Sequence, residues 1–364
     1  MTRHPALDLD HVASLADFEA PARARLAPAT VTYVAGGSFD EITLAENVSA
    51  FRRRRLRPRM LVETSQVDTS STLLGFPVSA PFGIAPMALQ GLLDLHGESA
   101  MARAAAAAGV AMLLSTVSSQ SIEAVAEAGA AGSGPRWFQL YVHRDREVSR
   151  SLVQRAEAAG YAALVVTVDL PVMGHRDGEI RQIEALGGTY GNFAEDGLDG
   201  DALAQLIDTR HATLTWDDLA EISSWSELPL VIKGILVGED ARLAIECGAA
   251  GVVVSNHGGR QLDRTQASID ALAEVVAAVA GRGEVYLDGG VRRGTDVVTA
   301  LALGADAVFV GRPMAWALGA AGEAGVARAL SILLQETETA MALLGTPTIG
   351  SITRGHLASD PSVR

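Results

Sequence analysis

EVYLDGGVRRGTDVVTALALGADAVFVGR, residues 284–312, contains two short apolar runs separated by a segment of helical period. The first run ends in Asp-Gly-Gly and the second in Gly-Arg, and a glycine precedes the second run. Apolar runs of strand length that alternate with helices are typical of parallel strands joined by helical crossovers. The stretch therefore predicts a strand–helix–strand unit of a parallel sheet.

The same alternation extends back to Pro81. Eight units would close a barrel, whereas an open doubly wound sheet is the alternative, although no G-x-G-x-x-G follows any of these runs. We predict an α/β fold, a (β/α)8 TIM barrel with an N-terminal helical extension and a long lid loop after strand 4. The predicted strands are residues 81–87, 110–116, 136–142, 163–169, 229–234, 251–256, 284–290 and 307–312. The predicted single domain, 1–364, comprises the extension 1–80, the barrel 81–345 and, within the barrel, the lid insertion 170–228.

Composition limits the function classes. The chain has 29 basic and 43 acidic residues, a formal net charge of −14, which argues against general nucleic-acid binding. The basic stretch FRRRRLRPR, residues 51–59, is interpreted as structural, with a nucleic-acid patch as the alternative. The single cysteine, Cys247, excludes an internal disulfide and a multi-cysteine zinc site, and no metal is predicted. No leader and no apolar run of ~20 residues is present, so we expect a soluble cytoplasmic protein with no membrane partner.

Polar residues gather where the predicted strands end. Barrel enzymes build their active sites at this face, so the pattern predicts an enzyme. The alternative is that these strand ends are polar only because they contact solvent. Lys233 is the one lysine among the 29 basic residues, which favours a site that needs a compact ammonium. His257 is a candidate base, the alternative being a structural histidine. The group comprises Ser115, Gln139, Tyr141, Thr167, Asp169, Lys233, Ser255, Asn256, His257, Asp288 and Arg312.

A phosphate site is predicted after the last two strands. DGGVRRG, residues 288–294, and VGR, residues 310–312, place glycines and arginines at the start of two helices. Glycines allow close backbone approach, helix N-termini favour anions, and these two loops are the recurrent phosphate site of the fold. Arg292 and Arg312 could add charge-assisted hydrogen bonds. The alternative is two ordinary turns with surface arginines.

Together with these loops, several motifs resemble the FMN-dependent 2-hydroxy acid oxidase family, which includes glycolate oxidase, lactate oxidase and mandelate dehydrogenase. The resemblance extends from about Tyr33 to about Met341 and is weakest in residues 177–213, where DGEIRQIEALGG follows Arg176. The motifs are APMALQ (85–90), WFQLYV (137–142), TVDLP (167–171), VIKG (231–234), SNHGGRQLD (255–263), DGGVRRGTDVVTALALGA (288–305) and VGRP (310–313).

The resemblance implies the residues that act on the substrate. His257 is implied as the base, and Asp169 as its partner, which would raise the pKa of His257 by stabilising the protonated form. Lys233 is implied to face the N1–C2=O edge of the flavin and to stabilise the reduced ring. The implied catalytic residues are His257, Asp169, Tyr141 and Lys233, and the implied substrate-binding residues are Tyr33, Tyr141, Arg176 and Arg260.

FMN is the cofactor that the resemblance implies. The glycine and arginine loops would hold the ribityl chain and the phosphate, and residues of the earlier strands would contact the ring. The implied FMN-binding residues are Pro86, Met87, Ala88, Ser115, Gln139, Thr167, Lys233, Ser255, Asp288, Gly289, Gly290, Arg292, Gly311 and Arg312.

The implied reaction is oxidation of an (S)-2-hydroxy acid to the 2-oxo acid, with O2 reduced to H2O2. A dehydrogenase that passes electrons to a quinone or a protein is the alternative; an isomerase on the same barrel and a non-catalytic interaction protein are less favoured. Val117 stands where glycolate oxidase has a large aromatic residue, which favours bulkier substrates. By analogy with the family, a homotetramer or homo-octamer is expected.

Overall fold

Eight parallel strands close into a barrel in the computed structural model, which describes residues 7–181, 188–196 and 214–358. A short antiparallel hairpin precedes the barrel, formed by β1 (Ser71–Leu73) and β2 (Phe76–Val78). Each barrel strand pairs with the next, and β10 pairs with β3, so the predicted (β/α)8 barrel is confirmed and the open sheet is wrong. The barrel strands are β3 (Phe82–Ile84), β4 (Ala111–Ser115), β5 (Arg136–Leu140), β6 (Ala163–Thr167), β7 (Leu230–Ile235), β8 (Gly251–Val254), β9 (Glu284–Asp288) and β10 (Ala307–Val310).

Helices surround this barrel and precede it. The N-terminal part contains α1 (Glu19–Arg25), α2 (Pro28–Ala35) and α3 (Ile42–Arg53). Each crossover after a barrel strand supplies at least one helix, as the alternation predicted. These helices are α4 (Gly97–Ala108), α5 (Ile122–Ala128), α6 (Arg146–Ala158), α7 (Asp177–Ile180), α8 (Trp216–Ser223), α9 (Gly238–Glu246), α10 (Ser268–Val279), α11 (Gly294–Ala302) and α12 (Arg312–Leu344).

The barrel interior is filled by large side chains. Trp137, Tyr286 and Phe309 pack against one another with ring centroids 5.2–5.6 Å apart, two of the three contacts edge to face. Leu73 and Val78 of the hairpin belong to the same buried cluster, so the hairpin covers the N-terminal mouth of the barrel. Because that mouth is closed, a ligand reaches the interior only from the opposite end of the strands, where the polar residues lie.

The connection between β6 and β7 carries the predicted lid, residues 170–228. Within it the structure describes α7, a 3-10 turn at Gly191–Asp196 and α8, whereas residues 182–187 and 197–213 lie outside the described residues. Asn192 is buried; its side-chain oxygen accepts from the Ile122 amide at 2.8 Å, and its amide donates to the Thr116 carbonyl at 2.8 Å. This part of the connection is therefore fastened to the end of β4.

The helix α12 is long and apolar enough to cross a membrane by length and composition alone. It packs against α4, α1 and α11, and 56% of its most apolar window is buried inside the protein. Non-helical backbone at Ala321 and Gly322 divides it into two helices. These contacts identify α12 as a core helix of the barrel.

The arginine-rich stretch begins in the last turn of α3, and two of its arginines contact acidic groups. Arg53 pairs with Glu46 and, at 3.2 Å, with Asp270, while Arg54 contacts the same Asp270 at 2.5 Å. These ion pairs fasten the end of α3 to α10, and the structural role of the whole stretch stays a prediction.

Candidate active site

A cavity of about 720 Å³ opens at the C-terminal ends of the barrel strands. Most of the residues predicted for the site line it, and three lie behind its wall: Gln139, Asp169 and Ser255 each bond a side chain that does. The structure thus brings together residues from all eight strand ends and from α2. The predicted residues that line the cavity are Tyr33, Pro86, Met87, Ala88, Ser115, Tyr141, Thr167, Arg176, Lys233, His257, Arg260, Asp288, Gly289, Gly290, Arg292, Gly311 and Arg312.

His257 follows β8 in a left-handed backbone conformation, with φ of 58°. Its Nδ1 lies 2.8 Å from Asp169 Oδ1, and its Nε2 lies 3.3 Å from the Tyr141 hydroxyl. An ionised carboxylate only accepts hydrogen bonds, so Nδ1 carries the proton and the basic Nε2 lone pair faces the cavity, where the Tyr141 hydroxyl donates to it. The imidazole is thereby oriented as a base.

The pKa of His257 differs from the expectation. Burial lowers the pKa of His257, and this effect, helped by the charges of Lys233 and Arg176, exceeds the raising effect of Asp169. Asp169 acts in the expected direction but does not set the net shift. A lowered pKa keeps the imidazole neutral at neutral pH, which is the form that accepts a proton.

Asp169 lies against the irregularity of β7 that follows Lys233. Gly234 has φ of 112°, and a Cβ on it would lie 2.6 Å from the Asp169 Cβ, so only glycine fits there. Burial acts to raise the pKa of Asp169, but the charges of His257 and Lys233 outweigh it and the pKa is lowered. Asp169 is therefore ionised beside the histidine.

Lys233 is buried, and its ammonium group contacts the side chains of Asp288 and Ser255. Its Nζ lies 3.1 Å from Asp288 Oδ2 and donates to Ser255 Oγ at 2.9 Å. Burial acts to lower the pKa of Lys233, but Asp288 and Asp169 outweigh it and the pKa is raised. The cavity thus contains a permanently charged ammonium that is held in place by two neighbouring strands.

Arg176 and Arg260 lie side by side, and Arg260 packs on the ring of Tyr33. The Arg260 guanidinium stacks 5.0 Å above the Tyr33 ring, and its NH1 donates to the carbonyls of Tyr33 and Gly36. Arg176 Nε donates to the Arg260 carbonyl at 3.2 Å. Burial lowers the pKa of Arg176, and the neighbouring charge of Arg260 lowers it further. A buried pair of like charges is a site for an anion.

Arg312 has no carboxylate of the described residues within ion-pairing distance. Its guanidinium donates to the carbonyls of Val34 at 3.0 Å, Gly258 at 2.8 Å and Gly36 at 2.8 Å, which leaves two of five N–H groups. Burial, with the charges of Arg260 and Arg292, lowers the pKa of Arg312 to about 9. Such a cation is stabilised by an anion from outside the chain.

Glycine backbone lines this end of the cavity beside Arg292 and Arg312. Gly290 has φ of 91°, and a Cβ on it would lie 2.0 Å from the Asn47 carbonyl oxygen, so the loop packs against α3 where no side chain fits. Two arginines that form no ion pair with the described residues, together with the glycine backbone that lines the cavity, fit the phosphate of FMN, and the ammonium of Lys233 fits the edge of a ring that gains negative charge. The donor set thus fits the whole cofactor.

The rest of the cavity wall is largely apolar. Val117 and Leu89 line it beside the 86–88 segment, and Leu170, Met173 and Trp216 line the part formed by the β6–β7 connection. Among the residues that the structure describes, no group of three or more His, Cys, Asp or Glu side chains could hold a metal ion.

Sequence analysis missed two residues of this site. Gln261 is buried; its amide donates to the carbonyls of Asp169 and Val172, and its oxygen accepts from the Gly174 amide. Glu179 lines the cavity and contacts both Arg176 and Arg260. Gln261 stands inside the quoted SNHGGRQLD motif, and Glu179 stands one helical turn after Arg176, so both spacings contained a usable signal.

The fold and this cavity define a (β/α)8 barrel enzyme whose cavity fits a phosphate-bearing cofactor at Arg292 and Arg312 and also contains a buried histidine and a second pair of arginines. The sequence profile described as FMN-dependent dehydrogenase matches residues 22–359, and the chain belongs to this family. FMN is accordingly its cofactor.

Characterised relatives are similar along nearly the whole chain. The L-lactate oxidase of Nostoc sp. is 48% identical over 359 residues, which cover 94% of this chain and 97% of the relative. The 2-hydroxyacid oxidase 2 of Homo sapiens is 48% identical, with 93% and 96% covered. A solved structure of mandelate oxidase superposes with a TM-score of 0.89 at 44% identity, covering 96% of this chain and 98% of the other.

Proposed function

We propose that this protein oxidises an (S)-2-hydroxy acid to the 2-oxo acid and passes the two electrons through FMN to O2, forming H2O2. The observation that carries the proposal is the Asp169–His257–Tyr141 hydrogen-bonded chain beside Arg176 and Arg260 in one cavity. A carboxylate bound by the arginines would place the neighbouring hydroxyl carbon next to a neutral base. The relatives named above are oxidases, which supports O2 over a quinone or protein acceptor.

The residues of the chain supply binding, orientation and proton transfer. Bound FMN would supply the two-electron acceptor, with O2 as the final oxidant. His257 Nε2 takes one proton of the substrate and Asp169 stabilises the imidazolium that results; after the imidazolium releases that proton, both hydrogens of the CH–OH group end in H2O2. Arg176 and Arg260 hold the carboxylate, and the hydroxyls of Tyr33 and Tyr141 bond the carboxylate and the substrate hydroxyl.

Charge near the cofactor favours its reduction. The ammonium of Lys233 is fixed by Asp288 and Ser255, so it stabilises negative charge without having to reorganise. The phosphate end is held by the glycine segments and by Arg292 and Arg312. Gln139 acts through Thr167, to which it donates at 2.9 Å.

The first experiment mixes the yellow FMN-loaded protein without air with a panel of (S)-2-hydroxy acids that includes glycolate, lactate and mandelate. At least one member is expected to bleach the flavin absorbance rapidly, and the mixture is expected to yield the 2-oxo acid. A flavin that no member bleaches would contradict the proposal. In air, peroxide is expected to form about one for one with the 2-oxo acid; negligible peroxide with intact dye reduction would contradict the oxidase.

The His257→Gln variant tests the base. Flavin reduction is expected to slow by about 100-fold or more, because glutamine cannot accept the proton, while FMN stays bound. The control is His143→Gln, since His143 is half-buried outside the cavity. Stopped-flow reduction rates and flavin content are measured for each, and an unchanged rate in His257→Gln would exclude its role as the base.

We also propose that the chain acts in the cytoplasm as a homotetramer or homo-octamer, without a membrane or nucleic-acid partner. The net charge of −14 supports the absence of nucleic acid, and the exposed side chains of Met60, Leu61 and Leu343 support self-association. Light scattering of the purified protein measures the mass. A monomer at micromolar concentration, or recovery in the membrane fraction, would contradict these assignments.

A further inference from the structure

Glu179 occupies the anion position between the two arginines of the site. Its Oε1 lies 2.8 Å from Arg260 NH2, and its Oε2 lies 3.5 Å from Arg176 NH1. We propose that Glu179 is a built-in counter-ion that makes this site select 2-hydroxy monocarboxylates and reject dicarboxylates. The inference rests on the proposed function, because it assumes that the substrate carboxylate binds at these arginines.

The arginines are held in place independently of Glu179. Both N–H groups of Arg260 NH1 are used by the carbonyls of Tyr33 and Gly36, and Arg176 bonds the Arg260 carbonyl and Gln261 Oε1. Removal of the Glu179 carboxylate would therefore leave two fixed guanidinium groups facing the cavity. Their N–H groups would then be available to anions.

The net charge of Arg176, Arg260 and Glu179 favours a substrate with one carboxylate over a substrate with two. Two guanidinium groups and one carboxylate leave a net charge of +1, which one substrate carboxylate neutralises. A second carboxylate on the substrate would meet Glu179 as a like charge, and the neighbouring wall residues Leu170, Val172 and Met173 offer no cation to compensate it. A like charge without a compensating cation weakens binding, so the dicarboxylate is rejected.

The same short helix supplies a matched control. Asp177 begins α7, two residues before Glu179, but its carboxylate contacts Arg181 at 2.6 Å, and Asp177 does not line the cavity. Asp177→Asn thus removes a charge from α7 without changing the arginine pair. Glu179→Asp keeps the charge in the cavity, and Glu179→Gln removes it.

The primary test measures binding rather than turnover. Butanoate and succinate, which have four carbons each and differ by one carboxylate, are titrated calorimetrically into the FMN-loaded wild type and the three variants. Glu179→Gln is expected to bind succinate at least about tenfold more tightly than wild type, with a smaller gain for butanoate, because a like charge a few ångströms away is removed. Glu179→Asp and Asp177→Asn are expected to retain the wild-type ratio of the two affinities.

Two outcomes would overturn the inference. One is a succinate-to-butanoate affinity ratio in Glu179→Gln equal to that of wild type, including the case in which both affinities fall, as a purely structural role predicts. The other is a ratio in Glu179→Asp that matches Glu179→Gln. If Glu179→Gln does not fold, Glu179→Ala replaces it with the same expectation.

A kinetic comparison separates this inference from the proposed function. With 2-hydroxybutanoate and 2-hydroxysuccinate, Glu179→Gln is expected to narrow the ratio of kcat/KM values by about tenfold, mainly through KM. If neither acid, nor any member of the panel, reduces the flavin while the binding ratio changes as expected, the proposed function fails and the anion selectivity stands. If the wild type oxidises the acids but both ratios are unchanged in Glu179→Gln, only the role of Glu179 fails.

Discussion

His257 combines an uncommon backbone conformation with two ring hydrogen bonds. Its φ of 58° is followed by Gly258 at 64° and Gly259 at 75°, so three successive residues are left-handed and turn the chain sharply after β8. Such conformations in residues other than glycine are unfavourable by about 1–3 kcal/mol and cluster at functional sites. Here the turn directs the imidazole back toward Asp169 and Tyr141.

Asp169→Asn tests how the carboxylate controls this histidine. The pKa of His257 is lowered by burial, so the acid limb of kcat/KM is expected below pH 6.5, the ordinary value. Without the carboxylate, the raising effect is lost, the pKa falls further, and the limb moves to still lower pH. We also expect kcat to fall about 100-fold or more, since the imidazolium loses its partner. A pH–rate profile from pH 4 to 9 measures both; a limb that moves upward contradicts this account.

Val117→Trp tests which substrates fit. Val117 lines the cavity at the end of β4, and tryptophan there would fill space that a bulky side chain needs. The KM for mandelate is expected to rise about tenfold or more, while the KM for lactate changes less. Steady-state kinetics with both acids and the flavin content measure this; equal effects on both acids would show that the position does not face the substrate side chain.

Residue chemistry decided which parts of the site could be predicted. Lys233 and His257 were predictable because each is a rare reactive type at the end of an apolar strand. Glu179 had only its position one helical turn after Arg176 as a signal, and that signal is weak because a glutamate in a charged segment such as DGEIRQ is usually a solvated surface residue. The net pKa of His257 also needed coordinates, since burial and the charges of Lys233 and Arg176 depend on three-dimensional distances.

At the scale of elements, Gln261 joins the loops after β6 and β8. Its side chain bonds the backbone at Asp169, Val172 and Gly174, so one buried amide fixes the segment that leads from the carboxylate of Asp169 to Arg176. Arg176 is then positioned as the residue before α7. Gln261 is thus one of the links between His257 and the arginine pair, beside the bond from Arg176 Nε to the Arg260 carbonyl.

Gln261→Ala tests whether the segment from Asp169 to Arg176 can be displaced without loss of FMN binding. It leaves three backbone groups without partners, so we expect a loss of about 1–3 kcal/mol in the free energy of unfolding. The value of kcat/KM is expected to fall about tenfold or more while FMN remains bound, because the phosphate end of the cavity is untouched. Denaturant unfolding, kinetics and flavin content are compared with Leu262→Ala, an exposed neighbour. Loss of FMN without loss of turnover per bound flavin would contradict this assignment.

The barrel strands were more predictable than the connections. Strands buried on both faces read as continuous apolar runs, and every predicted run overlaps one observed strand, with only β7 extending one residue past its predicted run. The β6–β7 connection was not predictable in detail, because α7 and the Gly191–Asp196 turn are too short to show a period. The Gly191–Asp196 turn is fastened by the buried side chain of Asn192. A single buried polar contact of this kind leaves no pattern in the sequence.

For the whole molecule, Arg312 links the N-terminal part, the loop after β8 and the start of α12. Arg312→Ala is expected to weaken FMN binding about 100-fold and to lower the melting temperature, because the carbonyls of Val34 and Gly258 lose their side-chain donor and that of Gly36 loses one of two. In wild type, FMN at 100 times its Kd should raise the free energy of unfolding by about 2.7 kcal/mol. In Arg312→Ala, the same FMN concentration should raise the free energy of unfolding far less. Flavin fluorescence and thermal unfolding measure this.

Two further variants show whether charge or hydrogen bonding explains the expected effect of Arg312→Ala on FMN affinity. Arg103→Ala removes an arginine whose partner is the exposed Glu323, and it should leave FMN affinity unchanged. Arg312→Lys keeps a charge but cannot reach three carbonyls at once, so it should recover only part of the affinity. Full recovery would mean that charge alone, rather than the links to Val34, Gly36 and Gly258, explains the role of Arg312.

The links of Arg312 also order events during synthesis. The carbonyls at Val34 and Gly36 leave the ribosome 278 and 276 residues before the guanidinium that binds them. A nascent chain that has already made its first seven barrel strands still lacks the donor that fixes its N-terminal part beside the phosphate end. Flavin capture is therefore an event of the nearly finished chain, and polypeptides released before residue 312 should emerge colourless.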